Sequence, residues 1–267
     1  MGSSGSPGSS GSPGSPGSSG SRIAGADTSG RAGQEPPPSD DEPWLVVGLG
    51  NPGPSYAGNR HNVGFMVVDL LAERVGGRLR SHRTGSSSGR ADVLTGRLAG
   101  ARVVLAEPRS YMNESGGAVA SLRDYYAVPP VRVVAVHDEL DLPFGVVRGK
   151  AGGGHGGHNG LRSVTRGLGT GEFPRVRVGI GRPPDDFRGD GADWVLSRFA
   201  EPREEVEALI ARAADMAEVI LAEGMPSAIE RFHASEPGAR ARARSERREA
   251  ARAPVPDDAS ESSEGPA

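Results

Sequence analysis

Three stretches of this 267-residue chain hold side chains able to move a proton or hold one in place. His61 lies in Asn59-Arg60-His61-Asn62, just ahead of an apolar run, and Asp138 lies in His137-Asp138-Glu139-Leu140-Asp141, just after one. The third runs from Lys150 to Gly160 and packs six glycines, with His155 and His158, into positions 152–160. Asparagines accompany these groups: Asn51 in Gly48-Leu49-Gly50-Asn51-Pro52-Gly53, Asn113 in Tyr111-Met112-Asn113-Glu114, and Asn159 at the end of the glycine run. A histidine base, a carboxylate to fix its tautomer, side-chain amides and a loop of exposed N–H groups suit direct attack of water on an activated carbonyl.

Other chemistries drop out. The chain has no cysteine, which removes thiolate nucleophiles, disulfides and cysteine-ligated metals. The H-x-E of His137-Asp138-Glu139 therefore cannot complete a zinc deaminase site. No apolar strand leads into a G-x-S-x-G elbow, S-x-x-K and H-E-x-x-H are absent, and the glycine run lacks the G-K-[ST] of a phosphate-binding loop. Two histidines in a flexible loop are a thin ligand set, so no metal is expected. Gly48–Gly53 matches G-x-G-x-x-G, but Pro54-Ser55-Tyr56 delays the helix and Asp69 falls inside a helical stripe. A dinucleotide site needs the opposite on both counts, so no cofactor is expected.

The same residues also have plainer explanations. Asn113 reads as an N-cap and the glycine run as a long turn. His61, at the start of a helix, would feel the positive end of the helix dipole, which favours the neutral, basic imidazole.

Strands and helices alternate around these stretches. Trp44–Leu49 reads as a buried strand. Met66, Val67, Leu70, Leu71 and Val75 recur at helical spacing up to Gly76-Gly77. Ala91–Leu98 and Arg102–Ala106 form a hairpin around Ala99-Gly100-Ala101. A helix is expected over Asn113–Tyr126, strands over Val131–Val136 and Val146-Val147, a helix over Asn159–Gly167, and a strand over Arg175–Ile180. A long helix carries the stripe Val206, Leu209, Ile210, Ala213, Met216, Ala217 and Ile220. This succession predicts a single α/β domain, a mixed twisted sheet with helices on both faces. Gly189 and Gly191 make Pro183–Asp193 a candidate lid.

The ends of the chain differ from this core. Residues 2–21 are only Gly, Ser and Pro, and an acidic, proline-rich stretch follows. From Ser235 onward the chain is rich in Arg, Ala, Ser and Glu, without a core pattern. Neither buries enough apolar surface to offset chain entropy, so 1–42 and 235–267 are expected to be disordered tails flanking a domain over 43–234. The arginines of the second tail alternate with glutamates, the pattern of a solvated segment. The whole chain carries −3, but residues 43–234 hold 23 basic against 22 acidic side chains. A nucleic acid could therefore be held only by a local patch. No run approaches the roughly 18 apolar residues of a membrane span, and the start lacks an apolar signal segment. A cytoplasmic location fits these features. Lys150 is the only lysine.

Taken together, VVGLGNPGPSY, NRHNVGF, SYMNESG, HDELDLPFG, GKAGGGHGGHNGLRS and RVRVGIGRP resemble bacterial-type peptidyl-tRNA hydrolase in order and spacing, from about Trp44 to His233. The resemblance implies a cytoplasmic, monomeric, cofactor-free enzyme that cleaves the ester between a peptide and the 3′-terminal ribose of tRNA. By that resemblance His61 is the general base, Asp138 holds it, and Asn51 supports the centre. Asn113 and Asn159 bind the peptide backbone, Tyr56 and Met112 line the cleft, and Asn159 with Gly157 supports the oxyanion. Lys150 and Arg177 would clamp the tRNA 5′-phosphate, as a compact cation and a forked one can. Two other readings remain: an RNA-binding relative without activity, and a hydrolase for another acyl ester.

Overall fold

The computed structural model describes residues 42–84 and 89–234. Apart from Glu42, the two expected tails lie outside the described residues.

Seven strands form one mixed sheet: β1 (Trp44–Gly48), β2 (Arg80–Arg83), β3 (Arg90–Leu98), β4 (Ala101–Pro108), β5 (Val133–Glu139), β6 (Val147–Ala151) and β7 (Pro174–Gly179). Their order is β2-β3-β4-β1-β5-β7-β6. The centre is parallel, with β1 between β4 and β5 and with β7 beside β5; β2, β3 and β6 pair antiparallel at the two flanks.

Alternation along β1 and β5 divides the core. Val46, Val134 and Val136 face α1 (Val63–Val75) and α5 (Arg203–Ala234). Leu45, Val47, Val133 and Ala135 face α2 (Ser115–Tyr125) and α3 (Asn159–Leu168). Such strands, covered on both sides, read as continuous apolar runs. Each buried Val, Leu or Ile contributes about 1.5–3 kcal/mol relative to exposure. The expected α/β architecture is the observed one.

One contact sets the site's position. A Cβ on Gly64, in the first turn of α1, would stand 2.4 Å from the Val136 carbonyl oxygen and 2.6 Å from the Leu49 nitrogen. A Cβ on Gly48 would stand 2.4 Å from the Gly64 carbonyl oxygen. Two glycines thus let the start of α1 lie directly on the ends of β1 and β5. The residues just before α1 are carried to the end of β5.

Several elements depart from expectation. Strand β5 runs through His137-Asp138-Glu139 rather than stopping before them. Strand β6 extends to Ala151, so Lys150 belongs to an edge strand and not to the glycine loop. Asn113 does not cap a helix: it sits inside a 3-10 turn, Met112–Glu114, with no side-chain cap bond, and α2 begins at Ser115. Helix α5 is broken at Gly224 (φ 85°, ψ 170°), two residues ahead of Pro226. Strand β2 and the short helix α4 (Gly191–Leu196) were not expected. The first is polar and largely exposed, and the second is only six residues long.

Candidate active site

A cleft of about 880 Å³ opens where β1 and β5 end. Its floor holds Asn51, His61, Met112 and Asp138, and Asn159 stands on its rim. The opposite wall comes from Pro183 and from α4, through Gly191, Val195 and Leu196. Of the stretch expected as a lid, Pro183 at one end and Gly191 and Ala192 at the other line the cleft.

Alternation along β5 sends His137 and Glu139 to one face and Asp138 to the other, toward α1. The 3-10 turn Arg60–Asn62 precedes α1 and delivers His61 to it. His61 Nδ1 lies 2.8 Å from Asp138 Oδ1. The same oxygen lies 3.0 Å from His158 Nε2. His158 is the N-cap of α3, and its Nδ1 accepts the N–H groups of Gly160 (3.1 Å) and Leu161 (3.3 Å). Because Nδ1 accepts, the proton of neutral His158 must sit on Nε2 and be donated to Asp138. One carboxylate oxygen thus receives two imidazoles, whose ring centres are 5.0 Å apart.

The electrostatics follow from this sharing. Burial alone would raise the Asp138 carboxyl, which is 3% exposed, but the two imidazoles outweigh it and hold the group well below the usual carboxylate range. For His61, burial pulls downward, yet the charge of Asp138 and its hydrogen bond win and the pKa is raised above 6.5. This corrects the expectation of a helix dipole favouring neutral imidazole. His61 belongs to the turn before α1, and a carboxylate at hydrogen-bond distance exceeds the half-charge of a helix end. With Nδ1 donating to Asp138, Nε2 carries the lone pair a base requires. His137 differs: burial, then the neighbouring His158, lowers it to about 3, so it stays neutral. Its Nδ1 donates to the Asp138 carbonyl (2.7 Å), and its ring stands edge-on to His158 at 4.9 Å.

Asn51 is locked from both sides. Its side-chain oxygen accepts the Met112 N–H (2.9 Å). Its backbone N–H donates to Asn62 Oδ1 (3.0 Å), and Asn62 Nδ2 donates back to its carbonyl (2.9 Å). The His61, Asp138 and His158 ligand atoms lie within 4.8 Å of one another, close enough for a metal, but each is committed to a hydrogen bond.

A family model described as peptidyl-tRNA hydrolase matches residues 45–240. The chain belongs to the peptidyl-tRNA hydrolase family. It is 59% identical over 198 residues to a peptidyl-tRNA hydrolase of Frankia alni, covering 74% of this chain and 97% of that one. A relative of the same name from Mycolicibacterium smegmatis is 56% identical over 194 residues, covering 72% and 98%. The crystal structure of peptidyl-tRNA hydrolase from Acinetobacter baumannii superimposes with a TM-score of 0.63 at 34% identity, covering 75% of this chain and all of that one.

Against the hydrolase pattern, His61, Asp138, Asn51, Met112, Asn113, Asn159 and Gly157 meet in the cleft. Tyr56 is not among the described residues lining it; its ring stands edge-on to Tyr111 at 6.5 Å. The Gly157 N–H already donates to His155 Nδ1 (3.1 Å), so in this conformation it is not free for an oxyanion. Lys150 and Arg177 are also outside the cleft lining, on β6 and β7, where Lys150 pairs in register with Arg175 and Arg148 with Arg177. Opposed residues share a face, which makes Lys150 and Arg177 diagonal neighbours. Lys150 is exposed, whereas Arg177 Nε donates to Glu139 Oε2 at 2.9 Å. Sequence reasoning assigned no role to His158, Asn62 or Arg162, all of which bear on the cleft. The signal for all three was their place inside matched runs.

Proposed function

We propose that His61 activates the water that hydrolyses the ester between a peptide and the 3′-terminal ribose of tRNA. The observation that carries this reading is the junction of His61 and His158 on one oxygen of Asp138, at the floor of a cleft, with His61 Nε2 left as an acceptor. Water attacks the ester carbonyl carbon as its proton passes to His61 Nε2. The tetrahedral intermediate collapses by breaking the bond to the ribose 3′-oxygen, and His61 returns the proton to that leaving group. Asp138 stabilises the imidazolium formed between the two steps. An ester is reactive enough for positioning and base catalysis to suffice without a cofactor.

The amides of Asn113 and Asn159 would bind the peptide backbone, the constant part of a variable substrate, with Asn51 supporting the catalytic centre and Met112 as an apolar contact. Asn159 would also donate to the forming oxyanion; Gly157 joins it only if its bond to His155 opens. Lys150 with Arg177 would hold the 5′-phosphate. The enzyme would act as a monomer in the cytoplasm; no described helix is long and apolar enough to cross a membrane.

Purified protein should release tRNA from N-acetyl-aminoacyl-tRNA, and His61→Ala should lose on the order of a hundred-fold or more in kcat. Wild-type-like turnover by His61→Ala would sink the mechanism. Lys150→Ala should raise KM for substrate bearing a 5′-phosphate and leave the dephosphorylated substrate unaffected. Equal effects on both would reject the clamp. The full set of His61, Asp138 and three asparagines opposes a non-catalytic RNA-binding relative, and the Lys150–Arg177 pair favours a phosphate-bearing substrate over another acyl ester.

A further inference from the structure

Arg60 precedes the proposed base, yet its side chain points away from the cleft and is 1% exposed. Its Nη1 and Nη2 donate to the two carboxylate oxygens of Glu201, each at 2.9 Å. Nη1 also reaches the Ile180 carbonyl at 3.4 Å. The guanidinium carbon lies 3.9 Å from the centre of the Trp194 ring and 4.9 Å from that of Phe199. The backbone joins in: the Arg60 N–H donates to the Ser197 carbonyl (2.9 Å), and Asn59 bridges Arg198. Trp194 is itself tied by its indole N–H to the Gly181 carbonyl at 2.8 Å.

Three segments therefore meet on one planar cation: the turn that delivers His61, the end of β7, and the stretch from α4 to Glu201. Two of them line the cleft, the first through His61 and the third through Val195 and Leu196. The arrangement is not the cheapest filling of this space. Arg60 Nε is buried without a partner among the described residues, and apolar side chains commonly replace a buried ion pair without loss of stability. What an apolar filling lacks is the fixed fork of a guanidinium, which sets direction and distance between the groups it joins.

We infer that Arg60, paired with Glu201, is a positioning residue that fixes His61 relative to the α4 side of the cleft. The inference rests on the assignment of His61 as base. Its role is to hold the reacting groups in register, so its loss falls on kcat rather than on substrate affinity.

The test uses the full chain with Glu201→Gln and with the double variant Arg60→Met/Glu201→Leu, each assayed for melting temperature, kcat and KM on N-acetyl-aminoacyl-tRNA. The double variant is expected to melt near the wild-type temperature while kcat falls on the order of ten- to a hundred-fold at little-changed KM. A stable double variant with wild-type kcat overturns the proposal, because packing alone then suffices. Should the double variant not fold, Glu201→Gln decides by the same split: a lower kcat in folded protein supports positioning, and an unchanged kcat overturns it. His61→Ala is run alongside. If it stays active, the assignment of His61 fails whatever the Arg60 variants do.

Discussion

Asp138 gives both imidazoles the same oxygen, and this fixes how the site titrates. His61 serves as base only when deprotonated, and its pKa lies above 6.5 because of Asp138. The acid limb of kcat/KM should therefore fall above pH 6.5. In Asp138→Asn the raising charge is gone and burial acts alone, so the limb should move below 6.5 while kcat drops about 10²–10⁴-fold. A pH–rate profile reads both, and an unmoved limb would show that His61 is not the titrating group. Glu107 offers a second test at this scale. Burial first, then Asp69 and Asp92, raise its carboxyl to about 8 against the opposing pull of Arg109. The folded state thus holds a proton that the unfolded chain has lost, and stability declines as pH rises from about 4.5 to about 8. Glu107→Gln, which mimics the protonated form, should raise the melting temperature at pH 8 and leave it nearly unchanged at pH 5.

At the scale of elements, the start of α1 is held by absence of side chains. Gly64→Ala places a methyl 2.4 Å from the Val136 carbonyl oxygen, where only backbone movement makes room. A loss of about 1–3 kcal/mol in urea unfolding is expected, with a larger effect on turnover than on substrate binding, because the displaced turn carries His61. In the sequence Gly48 and Gly64 were legible only as members of matched runs, Gly48 also within a failed dinucleotide pattern, and nothing local pointed to their packing role. Both are explained by proximity between segments far apart in the chain. The same limit explains what else sequence reasoning missed. Apolar periodicity located β1, α1, α3 and the core of β5, since those patterns are local. It placed Lys150 in a loop because β6 has only Val147 and a buried Gly149 facing the core. Strand β2, Arg-Ser-His-Arg, lacks an apolar face altogether. His61 and Asp138 were paired only through resemblance to a family; neither spacing nor composition predicts that residues 77 positions apart share a hydrogen bond.

Across the whole molecule, the nearly balanced charge of residues 43–234 makes a quantitative statement about tRNA. If two phosphate-binding cations supply the electrostatic attachment, the logarithm of affinity should fall with the logarithm of salt concentration at a slope near −2. A slope of −5 or steeper would mean attachment by many more cations than this pair. The fragment 43–234 should hydrolyse substrate as fast as the full chain; a marked loss would assign the tails a part in binding. Helix α5 adds a consequence in time. It covers one face of the sheet, through Leu209, Ala213, Met216 and Ile220, and it is the last described element. During synthesis the growing chain is itself an ester of tRNA, the very bond this family cleaves. Until α5 has left the ribosome, β1, which leads to Asn51, and β5, which carries Asp138, lack the part of their apolar cover that α5 supplies, and Glu201 has only just emerged to meet Arg60. The order of the elements thus delays the enzyme's competence until α5 has been made.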